Sequence, residues 1–153
     1  MRSLDHKIPP PAVALILVLL MWGLSHVLPR VEVSNAIRIT FTAGIGLSGL
    51  AFGIAGTIAF RRAKTTVNPL QPERASSLVL TGVYRITRNP MYVGMMLALL
   101  SWAFYLASPV ALLGPVLFIA YITRFQIKPE ERALSAKFGK TYEQYLSSVR
   151  RWI

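Results

Sequence analysis

Cysteine is absent from this sequence, which excludes disulfides, thiolate metal ligands and a cysteine nucleophile. Histidine is scarce, and two imidazoles in 153 residues argue against a histidine metal site, so no metal is expected. Acidic residues number only six against 17 lysines and arginines. There is no glycine-rich dinucleotide fingerprint, internal repeat or low-complexity tract. No small-residue cleavage pattern follows the first apolar run, which leads instead to Pro29-Arg30, so it reads as a retained helix.

What is abundant is apolar. The chain is 54% hydrophobic with mean hydropathy +0.49, yet its net charge is +11. Charge and hydrophobicity segregate rather than mix. The positive residues crowd into short segments beside apolar runs, which fits the positive-inside rule and anionic headgroups better than nucleic acid. The expected partner is therefore the lipid bilayer and not nucleic acid. The length suits one membrane domain over residues 1–153.

Four runs read as spans, at about 12–28, 39–60, 90–107 and 109–125. The expected fold class is all-α, a polytopic membrane protein of about four transmembrane helices with amphipathic helices at the C-terminal end. In the second span Gly49 and Gly53 form a G-x-x-x-G pair, a close-packing face that also permits a homodimer. Pro115 predicts a kink in the fourth span. Pro129-Glu130-Glu131 reads as a new helix start, and Gly139 as its C-terminal cap. Thr141 and Gln144 read as the capping box of a second short helix.

Residues 61–88, containing Asn68-Pro69 and Gln71-Pro72, read as a long basic loop with six lysines and arginines against one acid. The tail from Arg124 has seven against three, and the turn between the third and fourth spans has none. This asymmetry predicts both termini, the basic loop and any site beside it on the cytoplasmic side.

The densest polar stretch runs from Gly82 to Gly94, G-V-Y-R-I-T-R-N-P-M-Y-V-G. Pro90 suits a first helical turn and pushes Asn89 toward an extended conformation. Arg85 and Arg88 sit at the positive end of that helix, where they oppose its dipole and could await an anion. An antiparallel hairpin of the last two spans brings Arg124, Glu130 and Glu131 to Arg85, Arg88 and Tyr92. Such a pocket offers carboxylates to an ammonium and guanidiniums to a carboxylate. Its apolar and aromatic walls tolerate a heterocycle and a sulfonium.

These segments, with F-G-K-T-Y-E-Q-Y and V-R-R-W-I after them, resemble the isoprenylcysteine carboxyl methyltransferase family. They are similar to the wider set of membrane methyltransferases that includes phospholipid N-methyltransferases. The resemblance covers roughly residues 68–153. It implies an integral membrane enzyme that takes a methyl group from S-adenosylmethionine, releasing S-adenosylhomocysteine. The implied acceptor is a lipophilic molecule, in the manner of a carboxyl O-methyltransferase. Carried onto this chain, the implied cofactor-binding residues are Tyr84, Arg85, Arg88, Asn89, Pro90, Tyr92 and Gly94, then Glu130, Glu131, Tyr142 and Tyr145. They fall in segments 82–94 and 124–149, and the implied catalytic residues are Arg88, Arg124, Glu130 and Glu131. Asn89 stands where the eukaryotic prenylcysteine enzymes have histidine. Two readings compete: a non-catalytic membrane protein whose basic rim binds anionic lipid, and a sterol-reductase-like enzyme using reduced nicotinamide dinucleotide.

Overall fold

The computed structural model describes residues 7–63 and 77–153, and all of its regular structure there is helical. The part of the expected basic loop holding Asn68-Pro69 and Gln71-Pro72 lies outside the described residues. In order come α1 (Pro10–Val27), α2 (Asn35–Arg62), a 3₁₀ turn (Gly82–Arg85), α3 (Pro90–Leu106) and a second 3₁₀ turn (Pro109–Leu112). Then follow α4 (Leu113–Ile122), a π-turn (Thr123–Ile127), α5 (Lys128–Phe138) and α6 (Lys140–Ser148).

Three helices are long and apolar enough to cross a membrane: Pro10–Val27, Asn35–Arg62 and Pro109–Phe138. The remaining expected span, α3, is apolar and 17 residues long, about 25 Å at the α-helical rise. Leu15, Leu19, Leu47, Leu50, Val116 and Leu117 all point outward and are more than half exposed. A helix that is apolar on its outer face as well as its inner one belongs in lipid. The inner faces meet in a core of Val13, Leu17 and Met21 from α1, Leu99 and Ala103 from α3, and Phe118 and Ile122 from α4.

Local chemistry sets the helix ends. Pro10 and Pro90 occupy first-turn positions, where a missing N–H leaves no bond unmade. The Ser34 hydroxyl accepts from the Ile37 amide and caps α2. Ala107 ends α3 in the left-handed region, at φ 49°, and reverses the chain toward Pro109. Its carbonyl accepts from the Val31 amide at 2.8 Å.

Glycines hold α2 and α3 together. The two helices pair along most of their length, running antiparallel from Gly56 beside Pro90 and Met91 to Gly46 beside Ser101. A Cβ on Gly94 would stand 2.7 Å from the Gly49 carbonyl oxygen and 3.1 Å from the Gly53 nitrogen. The G-x-x-x-G pair therefore receives a glycine of the same chain, which accounts for this face without a second copy. Gly114 does the same between α4 and α1, where a Cβ would overlap the Met21 sulfur. Gly94→Ala is expected to destabilise the fold by about 2 kcal/mol, since backbone on a packed helix cannot step aside. Gly53→Ala is expected to be neutral or stabilising, because a Cβ there meets nothing within 4 Å. Thermal melts of the two variants in detergent check the pair.

Pro115 lies in the first turn of α4, directly after the 3₁₀ turn at Pro109–Leu112, and the second irregular turn falls at Thr123–Ile127. Two local expectations are corrected. Pro129 does not open a separate helix, because the chain stays helical from Pro109 to Phe138. The π-turn directly before it shifts the hydrogen-bond register, so that the Lys128 amide bonds Thr123 O, and this makes room for a ring that would otherwise strike the carbonyl one turn back. Thr141 forms no cap, since α6 begins at Lys140 with Gly139 before it, at φ 52°.

Candidate functional site at the start of α3

Four stretches converge here: the 3₁₀ turn with Thr87–Asn89, the first turn of α3, the first turn of α5, and α6 with residues 150–152. The chain that leaves α6 lies against the N-terminal end of α3. The Arg88 amide donates to the Arg150 carbonyl at 3.0 Å. The Asn89 side-chain amide and the Thr87 hydroxyl both donate to the Arg151 carbonyl, at 2.8 and 3.3 Å. The Thr87 hydroxyl in turn accepts from the Asn89 amide. Trp152 packs against the core, and its indole N–H donates to the Thr123 hydroxyl at 3.1 Å.

An ion cluster sits on this frame. Arg88 Nη2 donates to Glu131 Oε1 at 3.0 Å, while Arg88 Nη1 donates to the Leu146 carbonyl at 2.9 Å. Arg151 grips both oxygens of the same carboxylate, with Nε 3.0 Å from Oε1 and Nη2 2.8 Å from Oε2. The Arg88 and Glu131 side chains are 9% and 14% exposed, so these are largely desolvated, charge-assisted bonds. Bonding to Glu131 also raises the Arg151 pKa above its ordinary value. Glu131 is thus fully engaged by protein cations.

Glu130 is placed differently. Its Oε1 accepts from the Tyr92 hydroxyl at 2.7 Å. Among the described residues it forms no ion pair; both ion pairs there belong to Glu131. Close by, Arg88 Nε is a buried donor without a partner. One half-buried carboxyl without a cation and one buried N–H without a partner therefore stand in the same cluster, among the described residues.

Tyrosines line the same region. Tyr84, Tyr142 and Tyr145 are buried, and burial pushes each hydroxyl up, that of Tyr145 to about 12 against the lowering effect of Arg88. They remain protonated donors near neutrality. The Tyr145 hydroxyl donates to the Tyr84 carbonyl at 2.7 Å, tying α6 to the 3₁₀ turn. Tyr84 also meets the end of α2 through an edge contact with Phe60.

Of the residues singled out in the sequence, the structure joins Arg88 to Glu131, Tyr92 to Glu130, and Tyr84 to Tyr145, and places Tyr142 beside Tyr145. Asn89 serves the tail, while Pro90 and Gly94 serve the contact with α2. Arg85 and Arg124 do not join the buried network: both are exposed. Tyr84 takes the inward position of its short turn, which leaves Arg85 outside. Gln126 and Ile127 take the inward positions of the π-turn, and the Arg124 guanidinium lies over the Phe125 ring. The sequence marks Arg151 and Trp152 only as part of the V-R-R-W-I tail, and gives no place in the site to them, to Thr87 or to the Leu146 carbonyl. The one available signal was the Arg150-Arg151 doublet facing a Glu-Glu doublet.

Comparison with known proteins covers part of these segments, the stretch before Tyr142. A family model described as phospholipid methyltransferase matches residues 37–141, from α2 to the start of α6. An uncharacterized protein of Haemophilus influenzae is 44% identical over 63 residues, which is 41% of this chain and 100% of that protein. No solved structure matches the chain at a significant level.

Proposed function

This chain belongs to the phospholipid methyltransferase family, and we propose that it is an integral membrane methyltransferase using S-adenosylmethionine, with its site at the start of α3. The observation that carries this reading is the contrast between two adjacent carboxylates. Glu131 is held by two arginines, whereas Glu130 has a tyrosine hydroxyl and no cation among the described residues.

The donor set suits the cofactor. Its ammonium needs a carboxylate, which Glu130 offers. Its α-carboxylate needs a donor, which Arg88 Nε offers as a buried N–H without a partner. When bound, the cofactor supplies a methyl group already activated by a sulfonium. The protein's part is then to orient and to exclude water. Tyr92 fixes the direction of the Glu130 carboxyl through its hydrogen bond. The cluster of Arg88, Glu131 and Arg151 holds the tail across α3 and keeps Arg88 Nε in place. The apolar core behind Tyr92 closes the inner wall to water.

The acceptor we infer is lipophilic and reaches the site from the bilayer, with the site and both termini on the cytoplasmic side. Arg85 and Arg124, the cations that would have oriented a carboxylate acceptor, lie outside the buried network, so the geometry gives a carboxyl O-methyl acceptor no special support. Calorimetry on detergent-purified protein tests the reading: S-adenosylhomocysteine is expected to bind saturably with one site per chain. Titration heats that vanish with added salt and show no preference for S-adenosylhomocysteine over reduced nicotinamide dinucleotide would refute it.

A further inference from the structure

Two guanidiniums and two carboxyls meet at this site, and the pairing is uneven. Arg88 and Arg151 both bond Glu131, and neither bonds Glu130. Glu130 lies past the apolar run that ends at residue 125, in the charged first turn of α5, yet it is half-buried. The groups that surround it do not neutralise it. From α3, the Tyr92 hydroxyl donates to Oε1 at 2.7 Å. Tyr84 of the first 3₁₀ turn and Tyr142 of α6 stand within electrostatic reach, both buried and protonated. On its own helix the next residue is a second carboxylate. A desolvated carboxylate beside another, with no cation among the described residues, is costly. Binding one proton removes that cost.

Burial pushes the Glu130 carboxyl up to about 8, opposed by the Tyr92 hydrogen bond and aided by the Glu131 charge. A carboxyl raised in this way is protonated at neutral pH and below, whereas an ammonium binds the ionised form. We propose that Glu130 is a carboxylic acid in the ligand-free protein and gives up its proton when the cofactor's ammonium arrives, so that cofactor binding is coupled to pH. In that step the Glu130 O–H bond breaks, the proton passes to solvent, and the carboxylate accepts from the ammonium instead. Nothing is oxidised or reduced. Tyr92 is then a positioning residue with a second effect: its hydroxyl favours the ionised carboxyl and so sets the pH at which the site takes its ligand. The identity of that ligand rests on the function proposed above.

Calorimetry with S-adenosylhomocysteine on the full chain in detergent tests it, in paired buffers of different ionisation enthalpy. Between about pH 5.5 and 7 the ligand's own ammonium and carboxylate keep their charges. Across that window the affinity is expected to rise about tenfold per pH unit, with about one proton released for each ligand bound. An ordinary glutamate, ionised throughout the window, gives a flat affinity and no proton release. Glu130→Gln has no proton to give, so its weaker binding is expected to be independent of pH. Tyr92→Phe is expected to bind less tightly than the wild type at pH 7, with the deficit shrinking between about pH 8 and 9.5. A merely structural loss would leave that deficit constant. Flat affinity without proton release in the wild type would overturn the inference and leave the methyl-transfer reading standing. Proton release that persists in Glu130→Gln would do the same, because the proton then comes from another group. Absence of S-adenosylhomocysteine binding at every pH would sink the methyl-transfer reading and this inference with it.

Discussion

Glu130→Gln is expected to weaken S-adenosylhomocysteine binding by about a hundredfold, the effect of losing a close charge pair worth about 2–3 kcal/mol. It should leave the fold intact. Glutamine keeps an oxygen for the Tyr92 hydroxyl, which is the bond that positions the side chain. No cation among the described residues is orphaned by the change, because both ion pairs at this site belong to Glu131. Removing the charge therefore removes only what a bound ammonium would use. The neighbouring change, Glu131→Gln, is expected to behave in the opposite order. It strips the anion from Arg88 and Arg151 together and so acts first on stability. Calorimetry and thermal melts on both variants separate the two roles. Normal cofactor affinity in a folded Glu130→Gln protein would end the assignment of that carboxyl to the ligand.

The sequence made the outline of this site legible and hid its wiring. Pro90, the Glu130-Glu131 doublet and a charge-free turn after α3 were enough to bring the first turns of α3 and α5 to one end of a hairpin. Those signals are local, and each has a fixed structural consequence. The division of labour between the two glutamates is not local. It depends on Arg151, which lies 20 residues beyond Glu131 and reads in sequence as one more basic residue at a membrane rim. The tail is fixed mainly through the carbonyls of Leu146, Arg150 and Arg151, and every residue has a carbonyl. The π-turn was equally silent, since Pro129 followed by two acids is also what a fresh helix start looks like. Arg85 and Arg124, exposed in the structure, carry a signal with two readings. A basic residue beside a span satisfies membrane topology whether it points into a pocket or out to the headgroups.

Arg88→Ala is expected to destabilise the protein by about 3 kcal/mol, the lower end for breaking a buried ion pair, because Arg151 remains to hold Glu131. For a chain of this size that corresponds to a fall of about 10 °C in melting temperature. The loss is large because the Arg88 side chain is 9% exposed and its removal also strands the Leu146 carbonyl. Arg151→Ala should change stability by less than about 1 kcal/mol, since its side chain is 35% exposed and water replaces what it loses. A compensated pair, Arg88→Met with Glu131→Leu, removes the buried ion pair and fills its volume, which restores the part of the stability lost to an unpaired Glu131, though not the donor of the Leu146 carbonyl. It does not restore the buried N–H that is left without a partner in the present structure. If Arg88 only braces the fold, the double variant recovers cofactor binding along with its melting temperature. If Arg88 Nε also meets the cofactor's carboxylate, the melting temperature returns and the binding does not, and that second outcome is the one expected.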